Sequence, residues 1–213
     1  MKTSFVRRAL NPALNVFQPL LMTLLAMTAV SFARATTVIP PNFNKLVSQA
    51  DYIVRAVVKS VNSELSTDGG KRHIVTKVEL DVQEVISGTP PQPLVLEMLG
   101  GKVGVDEMVV DGAPKFVVGD EDILFVHGNG RQFNPLVALM YGRYPILEEA
   151  GTGRRYVARA NGLPLRSEQE VDKPMVAPAV NAQASPPPAL SPIEFIGRIH
   201  AAVRQNSGAQ LEN

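Results

Sequence analysis

From Ile74 to Gln83, the side chains of Ile74, Thr76, Val78, Leu80 and Val82 alternate with those of Lys77, Glu79, Asp81 and Gln83. Successive side chains of a strand point to opposite faces, so this pattern predicts a half-buried strand with the first set inward and the charged set in water. A polar turn around Ser66 to Gly70 precedes it, and Ile86-Ser87-Gly88-Thr89-Pro90-Pro91 stops it. Tyr52 to Val61, rich in Ile, Val and Ala, reads as a strand on the upstream side. Leu94 to Leu99 reads as a third, closed by Gly100-Gly101.

Downstream the rhythm is short strand, turn, short strand. Glu107 to Val110 leads to a turn at Asp111-Gly112, Lys115 to Val118 to a turn at Gly119-Asp120, and Asp122 to His127 to Gly128-Asn129-Gly130. Asp-Gly between β-prone residues is a hairpin connector, since both positions tolerate positive φ. Leu136 to Tyr144 and Tyr156 to Ala160 complete the set, separated by Gly151-Thr152-Gly153. Short strands on tight turns, with no long helix between them, predict an antiparallel barrel or sandwich and argue against a parallel α/β sheet.

Helical spacing is confined to the flanks. Phe43, Leu46, Val47 and Ala50 predict one or two turns near the start of the core. Residues 166–190 are rich in Pro, Ala, Ser and charge without an apolar face, which predicts an extended, mobile linker. Ser191-Pro192-Ile193-Glu194 then supplies an N-cap serine, a proline at the first helical position and a glutamate three residues after the cap. Phe195, Ile196, Ile199 and Val203 share one face, so an amphipathic helix is expected to about Gln205.

The first thirty-five residues have the organisation of a secretory signal: Lys2, Arg7 and Arg8, an apolar run from Leu20 to Ala33, and Ala33-Arg34-Ala35 as the cleavage site, with the cut after Ala35. The uncharged run of fourteen residues is shorter than the roughly twenty that a spanning helix needs, so no stable membrane anchor is expected after cleavage. A periplasmic or secreted protein follows. Cleavage removes four basic residues (Lys2, Arg7, Arg8, Arg34) and no acid, taking the formal net charge from +1 to −3. With basic residues scattered over a mildly acidic chain, nucleic acid and anionic membranes are poor partners. The chain has no cysteine, so disulfides and thiolate-bound zinc are excluded and stability must come from an aliphatic core.

Catalytic signatures fail on required residues. Gly-x-Ser-x-Gly and His-Glu-x-x-His are absent. Gly128-Asn129-Gly130 and Gly151-Thr152-Gly153 begin like dinucleotide loops, but Phe133 and Tyr156 stand where a third glycine is needed. The three histidines, His73, His127 and His200, fall in different predicted elements without paired spacing. Asp120-Glu121-Asp122 has the oxygen chemistry for calcium but lies in a turn without EF-hand spacing. No cofactor, metal or catalytic residue is assigned. Tyr141-Gly142-Arg143-Tyr144 concentrates aromatic and guanidinium character, so Tyr141, Arg143 and Tyr144 are the candidate partner surface, against the alternative that the tyrosines cap one end of a barrel.

Ala50 to Val58 followed by Val75 to Gly88 resembles the opening strands of netrin-type and metalloproteinase-inhibitor-type OB barrels, and also a group of exported bacterial domains with the same opening. The resemblance covers about fifty residues, rests on aliphatic alternation and one terminal glycine, and implies an OB-like fold. Those inhibitors reach a protease's zinc with an N-terminal cysteine, which this chain lacks, so that activity does not carry over.

The expected protein is mainly β: a signal peptide at 1–35, a small antiparallel OB-like β-barrel at 36–165, a flexible linker at 166–190, a C-terminal helix at 191–206 and a disordered tail at 207–213. The expected role is a non-enzymatic binding or accessory protein of the bacterial cell envelope whose partner is another envelope protein. The alternatives are a hydrolytic enzyme with an unrecognised carboxylate or metal site, and a structural envelope component.

Overall fold

The computed structural model describes residues 39–68, 70–175 and 188–211. The expected signal peptide with Ala33 and Ala35 lies outside them, as do residues 176–187 of the expected linker and the last two residues of the expected tail. In chain order the elements are α1 (Phe43–Gln49), β1 (Tyr52–Asp68), β2 (Lys71–Gly88), β3 (Leu94–Leu99), β4 (Gly101–Val103), β5 (Asp106–Met108), β6 (Glu121–Val126), β7 (Arg143–Glu148), β8 (Arg155–Val157) and α2 (Pro192–Leu211). Short 3₁₀ turns occupy Leu139–Gly142 and Glu168–Glu170.

The protein is mainly β, and every strand pair is antiparallel. Six strands form one sheet in the order β3-β2-β1-β6-β7-β8, and β4 pairs with β5 in a separate hairpin. The six-stranded sheet does not close into a barrel, because both edges are occupied by loops. At β3 the Leu99 N–H donates to the Phe133 carbonyl at 2.7 Å and Asn129 Nδ2 donates to the Val95 carbonyl at 2.8 Å. At β8 the Val157 N–H donates to Leu190 at 2.8 Å, and its carbonyl accepts from Leu165 at 2.9 Å. Edges covered in this way are protected without meeting each other.

The alternation of Ile74 to Gln83 holds: Ile74, Val78 and Leu80 are buried, whereas Asp81 and Gln83 are exposed. The β1–β2 pair is longer than expected, running through the polar residues to Asp68 and Lys71. Its register slips where Gln83 and Ile86 are extra residues in β2 and Lys59 is extra in β1. Bulges of this kind re-aim side chains, and Ile86 turns to the opposite face from Val78 and Leu80.

Each face of the sheet is covered. One carries Ile53, Ile86, Ile123, Phe125, Tyr144, Ile146 and Val157 beneath α1 and α2. The other carries Val54, Ala56, Val58, Val78, Leu80, Leu96, Leu124 and Val126 beneath loops. The expected capping box at α2 is present: Glu194 accepts from the Ser191 backbone N–H at 2.8 Å, and the Glu194 N–H donates to Ser191 Oγ at 3.3 Å. Phe195 and Ile199 are fully buried, so the helix is docked on the sheet.

Several expectations are corrected. Asp111-Gly112 is a turn but joins no hairpin; the hairpin lies upstream, with Val103 opposite Asp106. Lys115 to Val118 is a loop, fixed from outside by Arg143. Leu136 to Tyr144 is not one strand: Leu136 makes an isolated bridge with Val126, Leu139–Gly142 is a 3₁₀ turn, and only Arg143 and Tyr144 belong to β7. In the expected linker, Val171 and Leu190 are buried in the core and carry backbone hydrogen bonds. Residues 207–211 of the expected tail continue α2.

Candidate functional site

A cleft of about 310 Å³ lies on the loop-covered side of the β1–β2 ribbon, beneath the β4–β5 hairpin. Its floor is made by Val61 and Ser63 of β1 and Thr76 and Val78 of β2, which the register places opposite one another. Met98, Met108, Val110, Ala113, Pro114 and Phe116 are among the residues that complete the lining. The lining is chiefly apolar, with two hydroxyls below and Glu107 and Lys115 among its polar residues. Val109 at 73 % exposure adds an apolar rim, and Val105, Val117 and Val118 in the adjoining segments are also exposed.

Gly100-Gly101 makes this geometry possible. Both residues have positive φ, at 100° and 136°. A Cβ on Gly101 would stand 2.3 Å from Thr76 Oγ1 and 2.4 Å from Ser63 Oγ, so a side chain there would push the β4–β5 hairpin off the ribbon. Thr76 Oγ1 donates to the Gly100 carbonyl at 2.6 Å and lies 2.8 Å from Ser63 Oγ, pinning the hairpin's entry to the floor.

The lining residues Lys115 and Phe116 are held by Arg143. Its Nε donates to Asp122 at 2.9 Å, Nη2 to Asp120 at 3.0 Å and Nη1 to the Lys115 carbonyl, while Phe116 stacks 4.7 Å from the guanidinium carbon. One planar, multi-donor cation thus ties β6, β7 and the 115–120 loop together. Asp122 is fully buried with Oδ2 unpartnered among the described residues. Burial pushes its carboxyl up to about 6; Arg143 opposes that rise, and the charges of Asp120 and Glu121 add to it.

The candidate partner residues are placed inside. Tyr141 and Arg143 are each 7 % exposed and Tyr144 is fully buried, so they present no surface to a partner. Tyr144 packs on Phe125 at 5.5 Å and Phe195 at 5.0 Å, and burial raises its phenol above the ordinary value. The acidic turn is used internally as well: Glu121 binds Arg55 and Arg155 while Asp120 and Asp122 bind Arg143. Among the described residues no group of three His, Cys, Asp or Glu side chains could hold a metal ion.

His127 meets Asp51 at 3.1 Å, and Asp51 also accepts from the Gly128 N–H at 2.7 Å and Arg131 at 3.2 Å. The Gly128 bond is foremost in holding the Asp51 carboxyl below its usual range. This cluster anchors the loop after β6; among the described residues, no hydroxyl side chain hydrogen-bonds His127.

Sequence reasoning missed the cleft residues. Gly100-Gly101 reads as a strand stop, and nothing local distinguishes a stop from a site of close backbone approach. The usable signal was Val109, Val117 and Val118, apolar side chains beside polar turns that no alternation assigns to a core face. No family model matches the chain, and no curated protein sequence matches it.

Proposed function

We propose that this chain is an exported, non-enzymatic binding module of the bacterial cell envelope that holds an apolar stretch of a partner envelope protein in the cleft at Gly100-Gly101. The carrying observation is an open, mainly apolar cleft whose rim leaves Val109 solvated in the free protein. Concave, mainly apolar sites with a few placed polar groups are the usual setting for ligand and peptide binding. Burying one aliphatic side chain in such a site contributes roughly 1.5–3 kcal/mol, enough for a few anchors to give a working affinity. Export is supported by the basic head, apolar run and Ala33-Arg34-Ala35 of the first thirty-five residues. An OB-like origin of the core belongs to this reading, supported by the bulged β1–β2 pair that opens it.

The test is capture from envelope extract with the processed chain as bait. The wild type retains a partner, and Met108→Lys or Val109→Asp releases it while circular dichroism stays native. Capture unchanged by both charges would overturn the reading. A hydrolytic reading has one specific observation, the Asp51–His127 pair at 3.1 Å. It requires turnover on ester or amide substrates that disappears in His127→Ala.

A further inference from the structure

Loops cover the outer edges of the sheet at β3 and β8, but a long stretch of β1 is left bare. β6 pairs with β1 only over Tyr52–Val57, and the chain entering β6 adds one more step, with the Val58 N–H donating to Asp120 at 2.8 Å and the Val58 carbonyl accepting from Gly119 at 2.9 Å. β1 then runs on to Asp68 with β2 on its other side. Among the described residues, no backbone hydrogen bond reaches the second side of residues 59–68. In an antiparallel strand, alternate residues turn both N–H and C=O to the same side, so this stretch presents a row of such pairs to the position that a longer β6 would fill.

The stretch is also unguarded. Exposed edges are normally blunted by charge, proline, bulges or shortness. The comparable part of β2 beyond β3 has two bulges together with Asp81 and Glu84. In β1 the last bulge is at Lys59, and the register with β2 is unbroken from Ser60 to Asp68. Between Ser60 and Thr67 there is no proline, and the one charged side chain, Glu64, already meets Lys77 at 2.6 Å. Val117 and Val118, just before the Gly119 that bonds Val58, are exposed at the head of the open position, and Leu65 is exposed further along it.

The chemistry of the stretch selects its occupant. Unpaired main chain takes main chain, and the face that carries Val61 and Ser63 is the floor of the cleft. A strand laid beside β1 sends alternate side chains to that same face. A second copy of β1 would bring Val61, Ser63, Leu65 and Thr67 to it, and of these Val61 and Ser63 already line the copy's own cleft. We propose that the partner's apolar stretch binds as an added β-strand along Ser60–Thr67 of β1, with alternate aliphatic side chains turned to the cleft. The inference rests on the function proposed for the cleft and adds the mode of recognition: backbone bonds give the hold, and the cleft selects an extended segment in which apolar and polar residues alternate.

The test titrates the full chain with the peptide Lys-Thr-Val-Thr-Val-Thr-Val-Lys and with the same peptide N-methylated at its four central residues, which keeps the side chains and removes the donors. NMR follows the amides of Ser60–Thr67 and the methyls of Met98 and Met108. The plain peptide is expected to shift both sets saturably, to slow hydrogen exchange at alternate amides of Ser60–Thr67, and to bind about tenfold more tightly than the methylated one. Equal binding of the two peptides, or methyl shifts with the Ser60–Thr67 amides unmoved, would overturn strand addition and leave the cleft's function standing. Amide shifts with the methyls unmoved would support strand addition and overturn the function proposed for the cleft. No response in either set would overturn both. A dimer in sedimentation whose Ser60–Thr67 amides are protected before any peptide is added would overturn the proposal in favour of a second copy.

Discussion

On β6, Ile123 and Phe125 point beneath the helices while Leu124 and Val126 point beneath the loops, and the two directions lead to different kinds of core. Under the helices, Phe43, Phe125, Tyr144 and Phe195 form a connected set of rings with centroids 5.0–6.3 Å apart. A helix satisfies its own backbone, so α2 can lay Phe195, Ile196 and Ile199 directly on the sheet. Loops must find outside partners for their carbonyls and N–H groups. Those partners are visible as Thr76 on Gly100, Leu99 on Phe133 and Arg143 on Lys115. Such fixed points hold a loop at a distance, and the cleft is the space left beneath it.

The comparison breaks most visibly at Phe195. Phe195→Ala removes the ring shared by Phe43, Phe125 and Tyr144 and should cost about 4 kcal/mol, read as a lower urea midpoint; a loss below about 1 kcal/mol would mean that the helix is not part of the folded core.

The next effect lies in the wall of the cleft and depends on pH. The folded Asp122 carboxyl titrates near 6 against 3.8 in the unfolded chain, so it holds its proton more tightly when folded. Its contribution to stability is therefore complete below the unfolded value and is lost as pH rises through about 6. The stability of the wild type minus that of Asp122→Asn should fall by up to about 3 kcal/mol between acid and mildly alkaline pH, measured by urea unfolding. A difference that rises with pH would show that Arg143 outweighs burial.

At the start of α2, Ser191→Ala opens the capping box and should cost about 1 kcal/mol on the same scale. Smallest is Glu84→Gln on the solvated pair with Arg55, expected to change stability by less than about 0.5 kcal/mol and by still less at high salt.

What was legible in the residues is what depends on near neighbours. Leu94–Leu99 begins and ends where its flanking Pro and Gly residues stop it, and Ser191 to Glu194 folds into the box that its spacing dictates. Distant contacts account for the failures. Lys115 to Val118 is β-prone but is held as a loop by Arg143, twenty-eight residues from Lys115. Barrel closure is forestalled by Phe133 and Leu190, whose carbonyls reach the sheet edges from other parts of the chain. Tyr141, Arg143 and Tyr144 have the chemistry of binding anchors, yet burial turns the same groups into an internal ring cluster and a clamp. The cleft itself depends on a hairpin crossing over Ser63 and Thr76, a juxtaposition that no local pattern of either strand announces.

Of the four methionines among the described residues, two belong to the cleft. Met98 and Met108 line the cleft, and Met140 and Met175 do not. Methyl NMR of the folded chain, titrated with extended peptides carrying aliphatic or aromatic side chains, reads both groups at once. Saturable shifts are expected at Met98 and Met108 with Met175 unmoved, abolished by Val109→Asp. Peptides that leave Met98 and Met108 unmoved, or that shift only Met175, would contradict the account.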